Sequence, residues 1–190
     1  QAAAEANRAL GELEPALANA IAAAAAEVAA GRHDAEFPLP VWQTGSGTQT
    51  NMNANEVIAH LANRALGSGS PRAPVHPNDH VNRGQSSNDS FPTVMHVAAA
   101  EAVTRELLPA LGVLHAALAR RAVEWERIVK IGRTHMMDAV PVTLGQEAAA
   151  WARQVELGIA RVKDALPRLM PLPQGGTAAG TGLNRHPDFA

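Results

Sequence analysis

Apolar positions recur at helical spacing along most of this chain. Leu10, Leu13, Leu17, Ile21, Ala24 and Val28 step by three and four residues, which places them on one face of a helix. Residues 2–30 therefore predict two helices, broken near Gly11–Pro15 and ended by Gly31 as a C-cap. Pro38, Pro40, Gly45 and Gly47 mark residues 32–50 as loop. Asn51 to Leu66 predicts a helix ended by Gly67, followed by a turn and then by loop or a short helical turn over His76–Arg83. From Phe91 the pattern is helical to about Trp125, with Pro109 predicting a break or kink.

Leu107, Leu111, Leu114, Leu118, Arg121, Trp125 and Ile128 alternate steps of four and three, a heptad seam with one charged member. Residues 128–142 predict extended loop. Thr143-Leu-Gly-Gln146 has the form of a capping box. The helix it opens carries Leu144, Ala148, Trp151, Val155, Ile159, Val162, Leu166 and Leu169 on one stripe, and would run roughly 35 Å at about 1.5 Å per residue. Two long seams with polar ends predict an all-α fold built as a long-helix bundle. No strand and no internal repeat is predicted.

Composition agrees. Of the 190 residues 46% are apolar, but alanine dominates and aromatics make up 3%, which suits close helix packing better than a β-sandwich. Trp42, Trp125 and Trp151 read as packing residues. A net charge of −2 provides no basic footprint for nucleic acid. The uncharged run Pro15–Ala26 is too short and too Ala-rich to span a bilayer, so no membrane partner is expected. With no cysteine there is neither a disulfide framework nor a thiolate metal site, which is compatible with a reducing cytoplasm, the expected location.

The chemistry concentrates in three polar loops at helix ends: Gln43–Asn51, Gln85–Asp89 and Gly132–His135. Helix N-termini present unpaired N–H groups and a partial positive charge, and hydroxyls and amides add neutral donors. Such a set suits a small carboxylate or phosphate. Each loop also has a plainer reading. Ser87 and Asn88 are ordinary N-cap residues. Gly45-Ser-Gly47 lacks the Gly-Lys-Ser/Thr of a P-loop. A lone His135 is more often structural than catalytic. His76, Asp79 and His80 match no zinc spacing, so no metal is expected. His60, His96 and His115 read as structural or surface residues.

Taken together, the motifs are specific. Ser46-Gly-Thr-Gln-Thr-Asn-Met-Asn53 with Asn55-Glu-Val57, His76-Pro-Asn-Asp79, Gln85-Ser-Ser-Asn-Asp89, and Gly132-Arg-Thr-His135 with Thr143-Leu-Gly-Gln-Glu147 resemble the class II fumarase family in order and spacing. Gly175-Gly-Thr-Ala-Ala-Gly-Thr-Gly-Leu-Asn184 fits it too. The resemblance implies a fumarase/aspartase superfamily member, an all-α homotetramer in which long helices from four subunits form the central bundle and three subunits furnish each active site. It implies reversible hydration of fumarate to (S)-malate with no metal or organic cofactor. Ser46, Thr48, Ser86, Ser87, Asn88 and Thr134 would bind substrate carboxylates, and His135 would be the active-site histidine. His76, Asn78 and Asp79 would form a secondary dicarboxylate site. Residues 1–85 would belong to an N-terminal helical domain and 86–190 to the central bundle.

Two departures from the family follow. Its Gly-Ser-Ser loop with a downstream Lys and Asn, to which the catalytic base is assigned, does not occur before Ala190, so the chain by itself is expected to be inactive. The arginine that often precedes the secondary-site histidine by three residues is Ala73 here, with Arg72 one position off. Within the superfamily the rival activity is aspartate ammonia-lyase, but Ser46, Gln49 and Ser87 favour fumarase. A non-catalytic helical assembly domain would account equally well for the seams alone.

Overall fold

A computed structural model describes the chain except Val41, residues 43–46 and Ala190. Two compact units result. The first comprises residues 1–95 and 172–190, the second residues 96–171.

In the first unit α1 (Ala2–Ala9) and α2 (Pro15–Ala29) are separated by a turn, as the Gly11–Pro15 signal predicts. Gly31 follows α2 at φ +73, a left-handed value that costs glycine little. α3 (Thr48–Ala65) begins three residues before the sequence places it, at Gly47, whose φ is +74. Ala18, Ile21 and Ala24 of α2 form the core with Ala59 and Ala62 of α3, Val75 and Val81. Alanine seams bring two backbones close, and short polar side chains then secure the loops. Buried Asn63 donates to the Val75 and Pro71 carbonyls (2.8 and 3.0 Å) and accepts from the Val75 amide (2.8 Å). Buried Asn7 donates to the Arg83 carbonyl (2.9 Å). These two side chains thus fix both ends of the 71–83 segment, which includes one wide turn at Pro77–Val81.

α4 (Ser87–Ala102) runs on through a π-helical turn at Val103–Leu107 into α5 (Leu108–Glu124). Pro109 does not break the helix. It sits at the second position of α5, and the wider turn before it relieves the clash a proline ring makes with the carbonyl four residues back.

In the second unit the predicted loop 128–142 is a correction. β1 (Val129–Thr134) and β2 (Met137–Thr143) pair as an antiparallel hairpin, with a register shift between Ile131 and Arg133. The turn residues His135 and Met136 have φ of +52 and +61, the values of a tight two-residue hairpin turn normally made by Asn-Gly. Without those residues the turn leaves little sequence signal. α6 (Leu144–Ala165) opens with the expected capping box: the Gln146 amide donates to Thr143 Oγ1 (3.1 Å) and the Thr143 amide to Gln146 Oε1 (2.9 Å). Its 22 residues extend about 33 Å. The start of α6 donates into the end of α5, from the Gly145 amide to the Trp125 carbonyl at 3.0 Å. Buried Ala148 and Ala152 line the contact face of α6.

Only part of the heptad seam is covered. Leu111, Leu118 and Trp125 are half-buried, whereas Leu107, Leu114 and Ile128 are exposed. Two of the expected packing tryptophans are also uncovered, Trp42 at 88% and Trp151 at 46% exposure.

Candidate active site

The site begins with two helix N-termini. Of the expected cap residues Ser86, Ser87 and Asn88, it is Ser86 that caps α4. The Asn88 amide donates to Ser86 Oγ (3.2 Å), and the Ser86 amide donates to Asp89 Oδ1 (2.9 Å), a reciprocal cap. Ser87 is the first helical residue. α3 opens on Thr48, directly after Gly47. A Cβ on Gly47 would overlap the Phe91 ring, so glycine permits the start of α3 to pass against α4.

Between these ends lies a cavity of about 530 Å³, lined by Thr48, Asn51, Asn78, Asp79, Ser86 and Ser87 among others. Its lining is mostly hydroxyl and amide. A short network stiffens the wall: Asn51 Nδ2 donates to Asn82 Oδ1 (3.4 Å), Asn82 Nδ2 to the Gln85 carbonyl (3.2 Å), and Gln85 Nε2 to the Val81 carbonyl (3.0 Å). Two charged residues join the lining, Asp79 and Arg83. Arg83 is paired with Glu12, and that guanidinium holds the Glu12 carboxyl below the usual carboxylate range. Asp79 Oδ2 lies 3.1 Å from His76 Nδ1.

Some of the expected primary and secondary residues share one cavity: Asn78 and Asp79 line it with Thr48, Ser86 and Ser87. His76 does not line it. Its Nδ1 accepts from the Asp79 amide (3.3 Å), and its own amide donates to His80 Nδ1 (2.8 Å). Asn88 does not line it either; its side chain donates to the Ala178 carbonyl (2.8 Å). Arg72, the displaced candidate for the secondary site, is engaged with Glu56 at 2.6 Å. Ser46 lies outside the described residues. Thr134 and His135 stand at the hairpin turn of the second unit. Among the described residues no group of three or more His, Cys, Asp or Glu could hold a metal ion.

Sequence reasoning missed the 175–184 segment as a wall of the site. Thr177, Ala178, Leu183 and Asn184 line the same cavity. The signal was present, since Gly175–Asn184 is one of the motifs that carry the resemblance.

A family model described as a lyase matches residues 1–190. The chain belongs to that lyase family. Among the relatives of this lyase chain is the class II fumarate hydratase of Methylorubrum extorquens, 64% identical over 191 residues, covering 100% of this chain and 40% of the relative. The class II fumarate hydratase of Corynebacterium glutamicum is 60% identical over 188 residues, covering 99% of this chain and 38% of the relative. The crystal structure of class II fumarase from Schistosoma mansoni superposes with a TM-score of 0.93 at 49% identity, over 99% of this chain and 40% of that one. A fumarate lyase:delta crystallin from Brucella melitensis bound to cobalt gives 0.89 at 39% identity, over 100% and 41% of the two chains. The lyase chain thus spans about two-fifths of the length of these relatives. The largely helical fold agrees with these neighbours, and the β1–β2 hairpin is the one departure from an all-helical reading among the described residues.

Proposed function

We propose that this chain carries part of a class II fumarate hydratase, a carbon–oxygen lyase that reversibly adds water to fumarate to give (S)-malate. The observation that carries the reading is the cavity where Thr48, Ser86 and Ser87 meet at the starts of α3 and α4. A dicarboxylate needs donors, and the transition state needs them more. Removing the proton beside a carboxylate builds a second negative charge on that group, an aci-carboxylate. Neutral donors fixed in advance stabilise that developing charge without reorganising, and two helix N-termini add to their field. Ser46, Thr48, Ser86, Ser87, Asn88 and Thr134 take the carboxylate-binding roles in this reading. His135 positions water or relays a proton. A base and an acid of separated pKa divide the two proton transfers. No metal or organic cofactor takes part.

The activity belongs to the chain joined to the remainder that its relatives possess, assembled as a cytoplasmic homotetramer through the long helices. Residues 1–85 are assigned to an N-terminal domain and 86–190 to the central bundle. Exposed Val113 (72%) and Val123 (75%) on α5 support a helical partner. The test is to assay the full-length enzyme for malate formation from fumarate and for ammonia release from aspartate. Fumarate hydration alone is expected. Ammonia release alone would replace this reading with aspartate ammonia-lyase, and neither activity would leave a helical assembly domain. Malate formation by the 190-residue chain by itself would overturn the need for the remainder.

A further inference from the structure

Thr177 lines the cavity and bears two costs in one residue. Its φ of +56 is a left-handed value that a β-branched side chain disfavours. Its Oγ1 is buried and finds no hydrogen-bond partner among the described residues. A native structure retains such a conformation only where the surroundings over-determine it.

The surroundings here are one side chain. Asp89 is 1% exposed. Its Oδ2 accepts from the Thr177 amide (2.7 Å) and the Gly175 amide (3.1 Å). Its Oδ1 accepts from the Ser86 amide (2.9 Å) and from the Ser90 hydroxyl (3.2 Å). One oxygen therefore holds the 175–177 backbone, and the other holds Ser86 at the start of α4, directly before Ser87. Two further contacts run alongside: Asn88 to the Ala178 carbonyl, and Arg185 Nε to the Gly175 carbonyl at 2.6 Å. Both of those grip carbonyls, so among the described residues Asp89 alone satisfies the Gly175 and Thr177 amides.

We propose that Asp89 is a positioning residue, a buried carboxylate that fixes the Gly175–Thr177 wall against the Ser86–Ser87 donors and so sets the width of the substrate cavity. The inference rests on the fumarate hydratase reading for its kinetic consequence, but not for the clamp itself. An acceptor-only group suits four donors. Asp89→Asn keeps the shape and turns one oxygen into a donor, which must then face N–H groups on one side or the other.

The test uses Asp89→Asn in the full-length enzyme, with two readouts. Hydrogen exchange of peptides spanning 175–177 is expected to rise at least about tenfold, while peptides spanning α2 and α3 are unchanged. In the assembled fraction kcat for fumarate is expected to fall about 10²-fold with KM within about threefold, because a displaced donor harms the transition state more than the bound substrate. Unchanged exchange at 175–177 overturns the clamp. Raised exchange with unchanged kcat reduces Asp89 to a structural role and overturns the positioning claim. A wild-type enzyme that does not hydrate fumarate would refute the functional reading in the control, and exchange would still decide the clamp. Asp89→Glu serves as the second variant: it keeps four acceptor lone pairs and should recover part of the lost kcat, and no recovery counts against a carboxylate-specific role.

Discussion

The two units are written in the same sequence style and end in different physical states. Both are Ala-rich helices with apolar seams at steps of three and four. In the first, the seams close on one another. Among the described residues the largest fully buried side chains lie there: Ile21, Val75, Asn7, Asn63, Asp89 and Pro77. In the second, the buried apolar residues among those described are Ala148 and Ala152; larger ones such as Leu111, Leu118 and Trp125 are half-buried, and Val113 and Val123 on α5 and Met136 (90%) and Val140 (65%) on the hairpin are exposed. Uncovered apolar side chains of this size are the kind that contact surfaces bury. A seam in the sequence therefore says that a helix packs, not against what. The first unit builds a cavity from its own residues, and the second leaves large apolar side chains exposed.

The sharpest test of that division is His135. It stands in a strained two-residue turn on the second unit, among exposed residues, and nothing in its surroundings marks it as catalytic except that strain. In the full-length enzyme His135→Asn is expected to lower kcat by about 10²- to 10⁴-fold, the range of a lost acid–base group, with the melting temperature little changed. Activity near wild type would confine the chemistry to the first unit.

The next largest effect concerns assembly. Replacing Val113 and Val123 together by Glu puts two charges on the exposed face of α5. A charge buried at an interface without a partner is costly, so the light-scattering mass of the full-length enzyme should drop from that of the four chains proposed above toward one or two. An unchanged tetramer would mean that these valines face solvent in the assembly as well.

Much of this was legible beforehand, for identifiable reasons. The long helix 144–165 announces itself because the Thr143–Gln146 box and an apolar stripe with six members within it agree. The Gln85–Asp89 loop was visible because a cluster of short polar residues before an apolar run has few structural uses. The hairpin was hidden, because Gly132 and Pro141 suggest irregular loop and the turn uses His135-Met136 where Asn-Gly is usual. Asp89 was hidden for another reason. Its cap partner Ser86 is local, but its second oxygen serves Gly175 and Thr177, more than eighty residues away, and no local pattern encodes that pairing. Thr177 is equally silent, since a threonine at positive φ is a tertiary fact.

Gly145 tests how closely the second unit is packed where it does close. A Cβ there would stand 2.5 Å from the Ala122 carbonyl oxygen and 2.7 Å from Glu126 Cα, and both obstacles are backbone. Gly145→Ala must therefore shift α6 against α5. Ordinary helix propensity would make the change favourable by about 1 kcal/mol. Overpacking should win, with a net loss of about 1–3 kcal/mol in the unfolding free energy read by chemical denaturation. A stabilised variant would show that the α5–α6 corner yields easily and that the second unit is loosely joined even there.

The smallest expected effect contrasts one ion pair from each unit. The Glu12 carboxyl is lowered by its hydrogen bond from Arg83 and by that same charge, and the Glu156 carboxyl is lowered in the same way by Arg153. The Glu156 carboxyl is exposed and the Glu12 carboxyl half-buried, so solvent and salt weaken both pairs, the first more. They differ in what they join. Arg153 and Glu156 are one turn apart on α6, while Glu12 reaches Arg83 across 71 positions and so ties the α1–α2 turn to a residue that lines the cavity. A depressed carboxyl pKa adds stability above the unfolded value and loses it as the pH falls through the folded value. Glu12→Gln should therefore lower the melting temperature at neutral pH, and the difference from wild type should close as the pH drops below the carboxylate range, about pH 4. Glu156→Gln should show the same sign with a smaller amplitude, because its helix turn persists without the pair. Equal amplitudes would mean that Glu12 contributes no more than a local surface contact and that the cavity wall at Arg83 is held by Asn7 alone.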